Sequence, residues 1–195
     1  MYMLNGVARL RSEEKRSAIV EAAIRVIVRE GLRAPTATIA REAGIANGSL
    51  FTYFETKTDL YNRLYLELKE EMARTALEGL PAKATLRARF FHAWSTWMDW
   101  AVRNPERRRA LALLTVSDDI TPATRAAGHK SAAGLDELMD QGRAKGPMRD
   151  APFGLVAALI NALAEATMDF MVTDPAHAAK HCEIGFDAAW RMLGG

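Results

Sequence analysis

Residues 35–57 read PTATIAREAGIANGSLFTYFETK, and this stretch decides the fold. Ile39, Ala40 and Ala43 form the inner face of a short helix. Gly44 ends it, because a residue without Cβ takes a positive φ at little cost. Ile45 plugs the corner, and Asn47 can accept a backbone N–H bond that starts a second helix. Leu50 and Phe54 lie four apart and share that helix's buried face. Gly48 is left at the tip, with Ser49, Thr52 and Tyr53 facing out. A glycine, small residues and aliphatics at these intervals suit two steeply crossed helices in close packing. This is the pattern of a helix-turn-helix, whose second helix enters the major groove of DNA. The competing reading is an ordinary helical hairpin with a solvated polar face.

The flanking sequence extends the pattern. A first helix ends in Glu30-Gly31, the IAREAGIANGSLFTYF core follows, and Lys57 opens a long fourth helix carrying Leu60. From about Lys15 to Leu64 the chain resembles the TetR family of bacterial transcriptional regulators. The resemblance covers the first third of the chain. It implies an all-α protein of about nine helices. Residues 1–57 are expected to form an N-terminal three-helix DNA-binding domain with an N-terminal arm, and 58–78 a linking helix. Residues 79–195 are expected to form a helical ligand-binding and dimerisation domain.

The second helix of the motif carries neither Arg nor Lys, so the common bidentate arginine contact to guanine is missing there. Readout is expected from Asn47, Ser49 and Thr52 with apolar contact to thymine methyls, and Gly48 admits close backbone approach. Thr36 and Thr38 are expected to reach phosphate from the preceding helix. The resemblance places Tyr53 and Lys57 where phosphate or base-edge contacts are usual. Lys57 also sits near a helix start, where dipole and ammonium both favour phosphate. Pro35 stands where the family usually has Thr or Ser as the cap, which leaves the start of this helix open by one residue.

Composition sets the outer bounds. The chain has 195 residues, 49% hydrophobic and 26% charged, with a net charge of +2. That balance buries a substantial core and neither demands nor excludes nucleic acid. A single cysteine, Cys182, excludes an intrachain disulfide and fits a reducing compartment. The N-terminus lacks an apolar signal-peptide core. No apolar run of about 20 residues is found, so no membrane span is expected and the location read from the sequence is cytoplasmic.

In chain order, residues 1–11 read as a loose arm with Arg9 and Arg11, either touching DNA or simply frayed. Ser12 starts the first helix, where Ile19, Ala22, Ala23, Val26 and Ile27 make an amphipathic stripe. From Thr58 to about Glu78, Leu60, Leu64, Leu68 and Met72 recur on one face, and Arg63, Glu67, Lys69, Glu70 and Glu71 mark the outer one. Gly79 to Pro81 is the expected domain boundary. The helix from about Thr85 to Arg103 carries Phe90, Phe91, Trp94, Trp97, Met98 and Trp100 over far more than the usual core stripe of about 100°. Two readings stand: plain core aromatics, or Trp94, Trp97 and Met98 lining a pocket for a small apolar or aromatic ligand. Asn104-Pro105-Glu106 restarts a helix, and Arg107 to Arg109 read as a solvated face. One helix is expected from about Pro122 to Ala144, offering His129 and Asp136 as polar pocket candidates.

Residues 153–172, FGLVAALINALAEATMDFMV, are apolar on nearly every side except the row Asn161, Glu165 and Asp169. A helix greasy all round is expected to be buried all round. Asn161, Glu165 and Met168 join the pocket candidates, the polar row lying either in the cavity or at its rim. The last helix, from about Pro175 to Leu193, adds Ile184, Phe186, Ala189, Trp190 and Leu193. The resemblance implies that helices 153–172 and 175–193 pair with their copies in a homodimer, which also suits palindromic DNA.

No phosphate-binding glycine loop or nucleophile elbow is present, so no catalytic residue, cofactor or enzyme activity is expected. Asp174, His177, His181 and Cys182 come nearest to a metal site. Asp174 suits a cap before Pro175, however, and Cys182 is rotated about 100° from His181, so no metal is expected. The function read from the sequence is a ligand-responsive regulator. It is most simply a repressor that binds a palindromic double-stranded operator as a dimer and is released by an unknown small effector. The alternative is a helical small-molecule-binding protein without DNA function.

Overall fold

In the computed structural model the backbone is described for residues 2–194 and the side chains for 12–194. The first helix, α1 (Tyr2–Glu30), begins at Tyr2 rather than Ser12, which replaces the expected loose arm with helix. The Arg9 and Arg11 side chains lie outside the described residues. Gly31, at φ +79°, ends α1, with its N–H bonded to the Ile27 carbonyl at 2.9 Å. Two short helices follow, α2 (Thr36–Glu42) and α3 (Asn47–Tyr53). Gly44, at φ +70°, makes the corner between them, a conformation that costs a residue with Cβ about 1 kcal/mol or more.

The caps differ from expectation. Pro35 and Ala46, both extended, occupy the N-cap positions of α2 and α3, and neither offers a side-chain bond. Asn47 is therefore the first helical residue of α3 and not its cap. The next helix, α4 (Lys57–Leu77), has the side-chain cap that α3 lacks. Thr56 Oγ1 accepts from the Asp59 N–H at 3.0 Å and donates to the Asp59 carboxylate at 2.8 Å.

Six further helices complete the chain: α5 (Leu86–Arg103), α6 (Pro105–Thr115), α7 (Pro122–Ser131), α8 (Ala133–Arg143), α9 (Phe153–Thr173) and α10 (Ala178–Leu193). A single 3-10 turn, Pro175–His177, precedes the last. The described residues thus hold ten α-helices, not about nine. The extra one arises because the expected helix from Pro122 to Ala144 breaks at Ala132, which leaves helical geometry at φ −94°, ψ 9°. Next to the break, a Cβ on Gly134 would lie 2.7 Å from Leu77 Cδ1, so α8 approaches the end of α4 through a bare backbone.

The chain divides into two compact units. One comprises residues 1–68 and 106–126, the other 69–105 and 127–195. In the first, Ile19, Ala22, Ala23, Val26 and Ile27 of α1 bury against a core that includes Ile39, Leu50, Leu60 and Leu64, each at or near full burial. Tyr61 is also fully buried, and its hydroxyl donates to the Leu32 carbonyl at 3.0 Å. Glu42 of α2 accepts from Arg25 at 2.8 Å and from Arg29 at 3.2 Å, both on α1. The basic run on α6 is not wholly solvated, since Arg107 pairs with Glu21 of α1.

In the second unit α5, α8, α9 and α10 pack around Phe90, Trp94, Met98, Leu138, Ile160, Met168, Phe186 and Leu193. Gly185 lets α10 press on α9 at Thr167. By length and composition α9 is apolar enough to cross a membrane, contrary to the reading that no such run exists, although only a third of it is buried. It buries Val156, Ile160, Ala164, Thr167, Met168 and Met171 and leaves Leu155, Phe170 and Val172 about half exposed or more. Being greasy all round has not made it buried all round within one chain.

Candidate nucleic-acid interface and ligand cavity

The outward face of α3 follows from its inward one. Leu50 is fully buried and Phe54 nearly so, which turns Asn47, Gly48, Ser49 and Thr52 to solvent. A Cβ on Gly48 would meet nothing, so the tip is open to close approach. Tyr53 is half-buried, as are Thr36 and Thr38 at the start of α2 and Lys57 at the start of α4. The Lys57 ammonium lies 5.3 Å from the Tyr61 ring centroid, which steadies a cation at a helix start without consuming its donors. Phe51, 44% exposed on α3, is a residue that the sequence reading missed. An aromatic ring on that face offers the apolar contact to sugar or thymine methyl that the helix otherwise lacks. The signal was available, because Phe51 follows Leu50 and so cannot share its buried face.

The second unit holds a partly open cavity. Its walls come from the end of α4 (Lys69, Met72), from α5 (Phe90, Ala93, Trp94, Trp97), from α7 and α8 (His129, Leu135, Asp136, Leu138, Met139) and from α9 (Ala157, Ile160, Asn161). Of the residues expected in a pocket, Trp94, Trp97, His129, Asp136 and Asn161 line it; His129 and Asn161 are exposed and mark the mouth. Met98 and Met168 are buried but outside the lining, because their positions on α5 and α9 turn them into the core. Glu165 is half-buried and also outside it, one turn beyond Asn161. Trp94 is fixed by its indole N–H, which donates to the Cys182 carbonyl at 3.2 Å, and it meets Trp97 edge-on at 6.2 Å.

Lys69 corrects the sequence reading most. Grouped with the outer charged face of α4, it instead lines the cavity, where burial pushes its ammonium below the usual range and Asp136 partly restores it. Asp136 is raised, first by burial, against the lowering influence of His129 and then Lys69. Glu71, from the same supposed outer face, accepts from the Trp100 indole N–H at 3.0 Å. Asp174 occupies the N-cap position of the following turn, as expected, but its side chain makes no capping bond. Its carboxylate bonds His181 at 2.9 Å and His177 at 3.0 Å, and these bonds, the first most, hold it below the usual carboxylate range. Cys182 is buried, with its thiol pushed up to about 11 by that burial.

Residues 19–64 match the family described as bacterial regulatory proteins, tetR family. The chain is similar along nearly its whole length to a TetR family transcription regulator from Shewanella sp. PV-4. The identity is 28% over 93% of this chain and 98% of that one, with a TM-score of 0.84. Residues 19–64 thus form a TetR family DNA-binding domain, in a chain whose fold is that of TetR family transcription regulators. Its head is therefore a DNA-binding helix-turn-helix and its fold the all-α fold of that family. A TetR family regulator from Marinobacter aquaeolei VT8 is similarly close, at 25% identity over 95% of this chain and 98% of that one, with a TM-score of 0.82. A fatty acid metabolism regulator protein from Bacillus subtilis is 31% identical over 70 residues, 35% of this chain. That match spans 36% of the relative's length.

Proposed function

We propose that this protein is a ligand-responsive repressor of the TetR family that reads a palindromic operator as a homodimer and is released by a small apolar or aromatic molecule. The functional division is residues 1–57 for DNA, 58–78 for linkage, and 79–195 for effector and partner. Asn47, Gly48, Ser49 and Thr52 read bases, while Thr36, Thr38, Tyr53 and Lys57 hold phosphate. A symmetric dimer places two such helices in successive major grooves. The apolar residues that α9 and α10 leave exposed, Leu155, Phe170, Val172 and Ile184, form the face that meets the second copy. That use of α9 accounts for its composition as well as a bilayer would, and keeps the protein in the cytoplasm.

The observation that carries the ligand reading is that α4 both follows the recognition helix and supplies Lys69 and Met72 to the cavity wall. A molecule that repositions those side chains acts on the same helix that carries Lys57. A 100-fold loss of operator affinity needs about 2.7 kcal/mol of differential binding, within reach of two packings of one helix.

Fluorescence anisotropy with DNA from immediately upstream of the coding region tests the DNA half, with a scrambled duplex as control. Saturable binding at least about 1,000-fold tighter than the control is expected. Fatty acids, the subject of the Bacillus subtilis relative's name, join apolar and aromatic compounds in a release screen. The absence of Arg and Lys from α3 favours a second reading, a small-molecule carrier that no longer reads DNA. Tyr53→Ala with Lys57→Ala abolishes operator binding in a regulator and leaves a carrier's function intact.

A further inference from the structure

Lys69 and Asp136 face the same cavity, and each bears on the charge of the other. Yet among the described residues they make no direct ion pair, and the Lys69 ammonium donates no hydrogen bond. Both side chains are half-buried, so a ligand that covers them without offering hydrogen bonds strips two ionic groups of water, which is costly unless something bridges them. Their charges cancel. An anionic ligand that satisfies Lys69 meets Asp136 with like charge, and a cationic one that satisfies Asp136 meets Lys69. A neutral group that accepts one hydrogen bond and donates another satisfies both, and a hydroxyl is the smallest that does so. His129, the other ionisable side chain of the lining, is exposed at the mouth and has water for a partner. Trp94, Trp97 and Phe90 offer flat apolar surface for a ring.

We infer that the effector is an aromatic or otherwise apolar molecule bearing a neutral hydroxyl, of the phenol or alcohol class, that bridges Lys69 and Asp136. This rests on the reading of the cavity as the effector site. Four probes sharing one body separate the possibilities by titration calorimetry of the full chain at neutral pH: naphthalene, 2-naphthol, 2-naphthoate and 2-(aminomethyl)naphthalene. 2-Naphthol is expected to bind at least about tenfold more tightly than naphthalene, the scale of one charge-assisted hydrogen bond, and more tightly than either ion. Lys69→Met and Asp136→Asn each remove most of that preference while keeping the naphthalene affinity. Both substitutions take charge out of a desolvated site, and circular dichroism confirms that each variant is folded.

Tightest binding of the naphthoate or of the ammonium overturns the inference, as does a naphthol preference that survives both substitutions. An Ala157→Trp variant, which fills the cavity, distinguishes failure of the underlying reading. If it leaves probe binding unchanged, or if no probe binds, the cavity is not the site and both conclusions fall. If the naphthol preference behaves as expected but 2-naphthol never lowers operator anisotropy, the cavity chemistry stands and the regulatory reading falls.

Discussion

Gly185→Ala tests the packing of α9 on α10 directly. A Cβ on Gly185 would stand 2.1 Å from Thr167 Oγ1, 2.9 Å from its Cγ2 and 3.0 Å from its Cβ. Thr167 cannot simply turn aside. It is buried, its hydroxyl donates to the Leu163 carbonyl at 2.7 Å, and a β-branched side chain in a helix has few rotamers. The helices must separate instead, an overpacking that costs about 1–3 kcal/mol, and the better helix propensity of alanine returns up to about 1 kcal/mol. A net loss of about 1–2 kcal/mol is therefore expected. Thr167→Ala removes two of the three clashing atoms and alone costs about 1 kcal/mol for the void it leaves. In the double variant the new methyl occupies that void, so the combined loss should fall short of the sum by about 1 kcal/mol or more. Independent sites add to within about 0.5 kcal/mol. The assay is urea denaturation followed by far-ultraviolet circular dichroism, at one fixed protein concentration because a dimer's midpoint depends on it. An additive double variant, or a Gly185→Ala protein as stable as its parent, refutes the argument.

Two pH dependences follow from single groups. Burial, and then the Asp119 carboxylate, push the Tyr61 phenol up to about 12. The stability this represents is present below pH 10, where the unfolded phenol is neutral, and is lost as pH rises towards 12. Tyr61→Phe should cost about 1–2 kcal/mol at neutral pH, because Leu32 loses its donor, and should flatten urea midpoints measured from pH 8 to 12. Tyr65, also raised by burial, retains part of the slope. Asp174 is shifted the other way, so its contribution is present above the usual carboxylate range and disappears as pH falls through it. Thermal midpoints between pH 3 and 6 should therefore drop less for Asp174→Asn than for the parent, and parallel curves would show that the histidine bonds add nothing.

Much of the head was legible because close packing leaves periodic marks. Ile39 with Ala40, and Leu50 with Phe54, are spaced as buried faces must be, and all four are buried. The caps were less legible, since a helix starts wherever the backbone turns extended, and Ala46 does that without a side-chain signal. The break at Ala132, between Ser131 and Ala133, lies two residues before the close approach of Gly134 to Leu77, and no local pattern encodes that approach. Lys69 escaped because a charged residue beside Glu70 and Glu71 reads as solvated; only the neighbouring helices show that it turns into a cavity. The outward face of α3 and the cavity-lining residues were readable as candidates, but which aromatics face a cavity and which the core depends on rotations of a few tens of degrees about α5. Trp94 and Met98 are both buried, and only Trp94 lines the cavity.

The two compact units also partition the chain's chromophores. All four tryptophans, Trp94, Trp97, Trp100 and Trp190, fall in the second unit, and all four tyrosines, Tyr2, Tyr53, Tyr61 and Tyr65, in the first. Emission excited at the red edge, where tyrosine is dark, therefore observes one unit alone, while the ionisation difference spectrum of phenol observes the other. Two of the four indoles line the cavity, so an occupant can alter up to half of the emitters while the phenol signal reports whether the head has responded. The unlabelled protein carries its own two-channel readout, and a heat melt followed in both channels shows whether the units unfold together or in turn.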